Sequence, residues 1–262
     1  MHSFDVCECG APLQRMERET PEPKGTDVVL KVLAAGVCHS DLHIWDGYYD
    51  IGGGQKLRLQ DRGVKLPLTM GHENVGEVVA VGPDAKGVKV GDVRLIHPWM
   101  GCGECIVCKR GEENLCTKPC SVGIHRGGGF ATHVLVPHPR YLFDISGIAP
   151  EKAAPLACSG VTAYSALRKV SDTLAQAPVV MIGAGGVGLM ALALHKKMGG
   201  HSTIVVDIDP ATMLPSAADL DALLLQTGAK VVVIAQLFGC VSSLKALGDV
   251  CIPGARGSNV DI

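Results

Sequence analysis

The sequence from Val179 to Gly188 reads VVMIGAGGVG, four aliphatic residues followed by a run rich in glycine. The aliphatic residues predict a buried strand, and the glycines predict a tight turn. The apolar pattern from Val187 to Met198 predicts a helix, and the residues from Thr203 to Val206 predict another strand. A strand, a helix and a strand in this order indicate an α/β fold with a parallel sheet.

The turn fits the pattern G-x-G-x-x-G and lies between a predicted strand and a predicted helix, the context in which this motif binds dinucleotides. The free N–H groups and the dipole at the helix N-terminus favour a pyrophosphate there. Asp207 follows the second strand, and its carboxylate can accept hydrogen bonds from ribose hydroxyls, which favours NAD. The alternative is an ordinary glycine-rich turn without a ligand. The predicted cofactor-binding residues of the turn are Gly183, Gly185, Gly186, Val187 and Gly188.

The first part of the chain has a different pattern, with short apolar runs separated by Gly and Pro. Val28 to Leu33, Asn74 to Val81 and Gly87 to Ile96 predict strands, whereas Asp46 to Leu66 predicts a polar loop. Such a pattern is typical of a small β-barrel. We therefore predict an α/β protein with a β-rich domain at residues 1–155 and a nucleotide-binding domain at residues 156–262.

Four cysteines follow the pattern C-x2-C-x2-C-x7-C within a predicted lobe at about residues 98–120. Four thiolates at such short spacing can close a tetrahedral shell around one structural zinc ion. An iron–sulfur cluster is the alternative, because similar spacings occur in ferredoxins. The predicted ligands are Cys102, Cys105, Cys108 and Cys116.

A second group of donor residues is spread along the chain. Cys38 and Cys158 offer thiolates and His72 offers an imidazole, a set that leaves a fourth position open on a zinc ion. Glu73 follows His72 and is an exchangeable or supporting group. The alternative is that these are unrelated cysteines and a buried core histidine.

Composition narrows the class of protein. The net charge is −2 without a cluster of Lys and Arg, which predicts no nucleic-acid partner. No apolar run approaches the length of a membrane span, so we predict no membrane partner. Eleven cysteines without a secretory signal favour a reducing, cytoplasmic location, where clustered cysteines are metal ligands rather than disulfides.

Together these motifs resemble the zinc-dependent medium-chain alcohol dehydrogenases, in particular the NAD-dependent type of bacteria and archaea. The resemblance implies a GroES-like, partly open β-barrel domain followed by a Rossmann-type doubly wound sheet. The segments that carry the resemblance are Gly36 to Asp41, Gly71 to Glu73, the four-cysteine loop, Ala154 to Thr162, and Gly183 to Gly188 with Asp207.

The resemblance also implies roles for single residues. It implies a catalytic zinc ion on Cys38, His72 and Cys158 with Glu73 close by, and a structural zinc ion on the four-cysteine loop. Further implied roles are orientation of the imidazole by Asp41, a proton relay through Ser40 and His43, contact with the cofactor by His39 and Thr162, and a substrate-pocket wall at Trp99.

The implied reaction interconverts a primary or secondary alcohol with its aldehyde or ketone by hydride transfer to NAD. The implied assembly is a homodimer or homotetramer. The alternatives are a polyol or threonine dehydrogenase of the same superfamily, or a catalytically inactive remnant that binds zinc and nucleotide.

The last alternative arises because the sequence after Pro210 is shorter than the family pattern. We therefore expect the Rossmann-type sheet to be incomplete at its C-terminal end. Ala218 to Gly228 and Lys230 to Gly239 are interpreted as pieces of a later helix and strand. The family's Gly-Asp-Arg-Val is here Gly91 to Arg94, so we expect a different alternation along that strand.

Overall fold

The computed structural model describes residues 1–207 and 230–232. The chain divides into two units, Met1–Tyr49 with Leu57–Cys158 and Asp50–Lys56 with Ser159–Ile262. The predicted domain limits, 1–155 and 156–262, remain a prediction. Most of the segment interpreted as a later helix and strand lies outside the described residues.

The longer strands come from aliphatic runs bounded by Gly and Pro, because β-branched residues such as Val and Ile favour strands. Within the described residues they are β1 (His2–Val6), β2 (Gln14–Glu17), β3 (Val28–Gly36), β4 (Tyr48–Asp50), β5 (Lys56–Arg58), β6 (Leu68–Thr69), β7 (Glu73–Val81), β8 (Val93–Ile96), β9 (His133–Val136), β10 (Leu142–Asp144), β11 (Val179–Ile182), β12 (Thr203–Val206) and β13 (Lys230–Val232).

The helices are short, and in the part of the chain that is described none is long and apolar enough to cross a membrane. They are α1 (His39–Asp46), α2 (Ile106–Lys109), α3 (Pro150–Ala153), α4 (Ser159–Arg168) and α5 (Gly186–Lys197).

The first unit is built on a five-stranded antiparallel sheet in the order β10-β8-β7-β3-β9. Its centre is the pairing of β3 with β7, in which Val28 lies opposite Val81 and Gly36 lies opposite Glu73. This register brings the residues that precede Cys38 beside those that follow His72. A smaller sheet has the order β2-β1-β6. Its strand β6 ends at Thr69, shortly before Gly71 and His72.

The first unit buries aliphatic side chains in several clusters, and removal of this apolar area from water is the main stabilising term. The largest cluster of buried residues consists of Val28, Leu30, Val78, Ile96, Met100, Val122, Val134, Val136 and Tyr141.

The second unit contains a parallel sheet in the order β12-β11-β13, with β11 in the centre. The helix α5 begins at Gly186, directly after the glycine-rich turn, and packs with α4 around Leu167, Met181 and Ala191. The predicted strand–helix–strand unit is therefore confirmed, with β12 at the predicted residues.

One prediction about the fold was wrong. The stretch from Asp46 to Leu66 is not a continuous loop, because β4 and β5 pair as a two-stranded ribbon and a 3-10 turn covers Gln60–Arg62. Gly52, Gly53 and Gly54 have φ of 83°, 63° and 77°, so the run that suggested a loop supplies the turn of a hairpin.

Candidate functional site

Four donor side chains from separate parts of the first unit converge at one point. Cys38, His72, Glu73 and Cys158 each offer one ligand atom, and these atoms all lie within 4.8 Å of one another. The sulfur atoms of Cys38 and Cys158 are 3.9 Å apart. Two thiolates bound tetrahedrally at about 2.3 Å from zinc are about 3.8 Å apart. The sulfur pair therefore fits a zinc ion without rearrangement.

The backbone explains why residues so distant in sequence meet. Cys38 precedes α1 at the end of β3, and His72 precedes β7, the partner of β3 in the sheet. Cys158 follows a 3-10 turn over Ala154–Ala157, whose Ala154 packs in a small buried cluster with Val75 of β7. The paired strands thus carry two ligands, and the turn carries the third.

A glycine makes room for the acidic member of the group. A side-chain carbon at Gly36 would lie 2.2 Å from Oε2 of Glu73, far inside any normal contact distance. The side chain of Glu73 is 4% exposed and occupies this space. The close approach of β3 and β7 at Gly36 therefore permits Glu73 to lie beside the ligands.

Asp41 ties two ligand segments together. Its Oδ2 accepts a hydrogen bond from the backbone N–H of Cys38 at 2.9 Å, and its Oδ1 accepts one from the backbone N–H of Gly71 at 3.3 Å. The same Oδ1 lies 3.2 Å from Nδ1 of His72. A carboxylate in this position fixes the ring orientation of a histidine ligand.

The electrostatics of the donors also fit a cation. The His72 side chain is fully buried, and its Nε2 has no hydrogen-bond partner among the described residues, so a metal ion would satisfy it. Burial works to lower the pKa of His72, but Asp41 and Cys38 raise it to about 10. The neighbouring Cys158 lowers the pKa of Cys38, while Cys38 raises the pKa of Cys158. A bound cation would offset the repulsion between the two thiolates.

The four-cysteine lobe forms a second donor group. Its four sulfur atoms also lie within 4.8 Å of one another, and three pairs of them are 3.4, 3.8 and 4.0 Å apart. These distances bracket the separation of about 3.8 Å expected for thiolates on one zinc ion. Backbone N–H groups of Cys102, Cys105 and Lys118 donate to sulfur atoms of the group. The lobe therefore fits a closed tetrahedral metal site.

The glycine-rich turn of the second unit has the close packing that the motif requires. A side-chain carbon at Gly188 would lie 1.9 Å from the carbonyl oxygen of Gly183, so only glycine fits at this position in the first turn of α5. Gly183 has φ of 99°, a conformation that favours glycine. The carboxylate of Asp207 accepts a hydrogen bond from the backbone N–H of Ala184 within the turn. A tight glycine turn that leads into a helix N-terminus is the arrangement in which helix N-termini receive a pyrophosphate.

Comparison with known proteins agrees with this geometry. A model of the alcohol dehydrogenase GroES-like domain matches residues 24–147. An NAD-dependent alcohol dehydrogenase of Sulfurisphaera tokodaii is 42% identical over 208 residues, which are 79% of this chain and 59% of that protein. One of Saccharolobus solfataricus is 41% identical with the same coverage. The crystal structure of the alcohol dehydrogenase of Aeropyrum pernix is 30% identical with a TM-score of 0.69, and the match covers 94% of this chain and 68% of that one.

The chain belongs to the zinc-dependent medium-chain alcohol dehydrogenase family. Its first unit is the GroES-like domain of that family, and its second unit contains part of a Rossmann-type region. The chain spans about 59% of the length of the two curated alcohol dehydrogenases named above.

The predicted relay residues lie on α1, which begins directly after Cys38. Ser40 and His43 are three residues apart and so share one face of the helix. The His43 side chain is 8% exposed, and its ring lies 4.8 Å from the rings of His39 and Tyr49. Burial lowers the pKa of His43, which keeps the imidazole neutral near pH 7 and able to accept a proton.

Two aromatic side chains flank the same group. The ring of Trp99 lies 5.7 Å from that of His72, and its Nε1 donates to the carbonyl oxygen of Ala157 at 3.1 Å. The ring of Tyr49 contacts that of His43, and this residue was missed because it falls in the stretch interpreted as a loop. Its position two residues after Gly47, the C-cap of α1, is the signal that could have found it.

Other predicted cofactor residues are placed on the surface. His39 is exposed at the first position of α1, and Thr162 is exposed on α4. The roles assigned to these two residues, and to the ligands and relay residues above, remain predictions.

Proposed function

We propose that this chain carries the catalytic part of an NAD-dependent zinc alcohol dehydrogenase, which interconverts a primary or secondary alcohol with its aldehyde or ketone. The observation that carries the proposal is the convergence of Cys38, His72 and Cys158. Their sulfur atoms are 3.9 Å apart, and the buried imidazole nitrogen Nε2 has no hydrogen-bond partner within residues 1–207 and 230–232. Two sulfurs and one nitrogen are the ligand set of catalytic zinc in alcohol dehydrogenases.

When bound, zinc at these ligands supplies a Lewis acid that lowers the pKa of an alcohol, and NAD supplies the hydride acceptor. The residues of the chain prepare the site for this chemistry. Asp41 holds the His72 ring and the backbone at Cys38 in place. Ser40 can accept the proton of the alcohol, and the neutral imidazole of His43 can take it onward to water. Trp99 adds an apolar wall that helps to exclude water from the ligands.

The proposal includes NAD at the glycine-rich turn, with Asp207 available to ribose hydroxyls and Thr162 and His39 as further contacts. It also includes a second zinc ion in the four-cysteine lobe, with a structural role. The relatives of Sulfurisphaera tokodaii and Saccharolobus solfataricus are named NAD-dependent, which supports the choice of cofactor. A cytoplasmic location and assembly into a homodimer or homotetramer complete the proposal.

The experiment is an assay of NAD reduction with ethanol, 2-butanol and benzyl alcohol, combined with measurement of zinc per chain. We expect turnover by the wild-type chain and none by Cys38→Ala, which should lose one equivalent of zinc and keep NAD binding. The matched control is Cys7→Ala, a cysteine outside both donor groups, which should behave as wild type. Equal turnover with and without Cys38 would contradict the proposal.

A second candidate is a protein that binds zinc and nucleotide but does not turn over alcohol. The two donor groups and the close packing of the glycine-rich turn would support binding of zinc and nucleotide whether or not alcohol is turned over. Zinc and NAD binding without reduction of NAD by any alcohol would support this candidate. Turnover of sorbitol or threonine, but not of simple alcohols, would instead support a polyol or threonine dehydrogenase.

A further inference from the structure

One carboxylate, that of Glu113, joins the two ends of the four-cysteine lobe. Glu113 lies in a 3-10 turn over Glu113–Leu115, just before the last cysteine, Cys116. Its Oε2 accepts a hydrogen bond at 2.9 Å from the backbone N–H of Gly101, the residue that precedes Cys102. The backbone at the start of the lobe is therefore hydrogen-bonded to a side chain near the end of the lobe.

The same carboxylate fastens the lobe to the body of the first unit. The hydroxyl of Tyr141 donates to Oε2 of Glu113 at 2.6 Å, and Nη2 of Arg140 lies 2.7 Å from Oε1. Tyr141 is 7% exposed and belongs to the main buried cluster, with Leu30 and Ile96 among its members. The lobe is thus connected to the hydrophobic core by a hydrogen bond as well as by the packing of Met100 in the same cluster.

Packing at Gly101 shows how tightly the lobe closes. A side-chain carbon there would lie 2.4 Å from Sγ of Cys108 and 3.1 Å from Cβ of Glu113. The backbone at Gly101, which Glu113 holds, therefore lies directly against a ligand sulfur, that of Cys108. A shift of this backbone by a few tenths of an ångström would change the spacing of the thiolates.

The charges around Glu113 fit an anchor that stays ionised. Burial works to raise the pKa of Glu113, but the hydrogen bonds from Tyr141 and Gly101 and the charge of Arg140 hold it below its usual range. Four thiolates on one divalent ion carry a net charge of about −2, so another anion nearby needs a compensating cation. Arg140 supplies this positive charge and also stacks over the Tyr141 ring at 4.7 Å.

We propose that Glu113 is a positioning residue of the four-cysteine lobe. Its carboxylate holds the backbone segments that carry Cys102 and Cys116 at the separation that one metal ion requires, and so controls how fast the lobe loses its metal. Glu113 is not itself one of the residues whose ligand atoms converge. The inference rests on the structural zinc ion included in the proposed function.

The test is the rate of zinc release to excess chelator, followed with a colorimetric zinc indicator. Measured in a Cys38→Ala background, the released zinc comes from the lobe alone. In this background we expect Glu113→Ala to release zinc about 10-fold to 100-fold faster than the protein that keeps Glu113. Removal of a residue that supports metal ligands usually lowers metal affinity by that factor. Tyr141→Phe should show a smaller acceleration, because it removes one of the contacts of the carboxylate.

The matched control is Glu112→Gln, because Glu112 is the adjacent residue and pairs with Arg110 at the surface, where their side chains are 47% and 61% exposed. It should release zinc within about twofold of the wild-type rate, as expected for an exposed ion pair. Release at the wild-type rate from Glu113→Ala would overturn the inference.

A second readout separates positioning from loss of stability. With cobalt in the lobe, Glu113→Gln should keep the absorption bands of four thiolate ligands while the metal leaves faster. With Cys38 present, release from the Cys38–His72–Cys158 site should remain at the wild-type rate. Equal acceleration at both sites would indicate general destabilisation and overturn the inference. A wild-type lobe that binds no metal would refute the structural zinc ion itself, a result distinct from a failure of Glu113.

Discussion

At the scale of single residues, the site depends on side chains that touch ligands rather than on the ligands alone. Asp41 contacts the backbone at Cys38 and Gly71 and the ring of His72, so one carboxylate sets three positions at once. It is 2% exposed, which makes its contacts stronger than they would be in water. Its loss should therefore loosen the metal site more than the loss of a surface aspartate.

We predict that Asp41→Asn lowers the zinc affinity of the Cys38–His72–Cys158 site by about 10-fold to 100-fold. The zinc of the four-cysteine lobe should be retained, because no contact of Asp41 reaches it among the described residues. Zinc per chain after dialysis against graded chelator concentrations measures the effect. The control is Asp61→Asn at an exposed position, which should titrate as wild type.

At the scale of secondary-structure elements, the junction of β11 and α5 shows how a motif becomes a structure. Two glycines of the turn differ in the space that a side chain would have. At Gly188 an added carbon would meet a backbone oxygen at 1.9 Å, whereas at Gly186 it would meet nothing within 4 Å. The motif thus predicts the turn correctly, but only the structure shows that glycine is sterically required at Gly188 and not at Gly186.

We predict opposite effects on stability for two substitutions in this turn. Gly188→Ala should destabilise the protein by about 1–3 kcal/mol, because the added carbon has no space. Gly186→Ala, at the start of α5, should be neutral or stabilise by up to about 1 kcal/mol. Urea unfolding measures both. Similar destabilisation by both substitutions would contradict the packing described here.

The helix α5 also carries a buried histidine with a predicted effect on pH dependence. His195 is 2% exposed, and its Nδ1 lies 2.9 Å from Oγ1 of Thr203 on β12. Burial lowers its pKa, so the unfolded chain binds a proton more readily than the folded chain. Neutral His195 therefore contributes stability that is present above about pH 6.5, the pKa of histidine in the unfolded chain. This contribution is lost as the pH falls from there towards the lower pKa that His195 has in the folded chain.

We therefore predict that His195→Gln makes the free energy of unfolding fall less steeply between about pH 7 and pH 5. Unfolding by urea at several pH values gives the slope, which is independent of the overall loss of stability caused by the substitution. The control is His201→Gln at an exposed position of the same unit, which should keep the wild-type slope. A slope for His195→Gln equal to that of wild type would contradict the prediction.

At the scale of the whole molecule, the sequence predicted local patterns better than long-range geometry. The strand β12 lies at the predicted residues, and the four cysteines of the lobe converge, because each pattern is contained in a short segment. The meeting of Cys38 with Cys158 depends on the register of β3 with β7 and on a turn far along the chain. Spacing alone could not give it, and the family resemblance supplied the expectation.

Some features had no signal in the sequence. The link from Glu113 to Tyr141 joins residues 28 positions apart whose side chains are individually ordinary. The hairpin of β4 and β5 was missed because polar residues and glycines are shared by loops and by the turns of hairpins. Both depend on pairings that no local sequence pattern marks.

The most direct test of the central claim is X-ray diffraction of crystals measured on either side of the zinc absorption edge. The account predicts one anomalous peak among the sulfurs of Cys38 and Cys158 and the imidazole of His72, at about 2.3 Å from each sulfur. It predicts another within the four-cysteine lobe. A peak in the lobe alone, from crystals grown with zinc, would contradict the proposal that the three distant residues form a catalytic metal site.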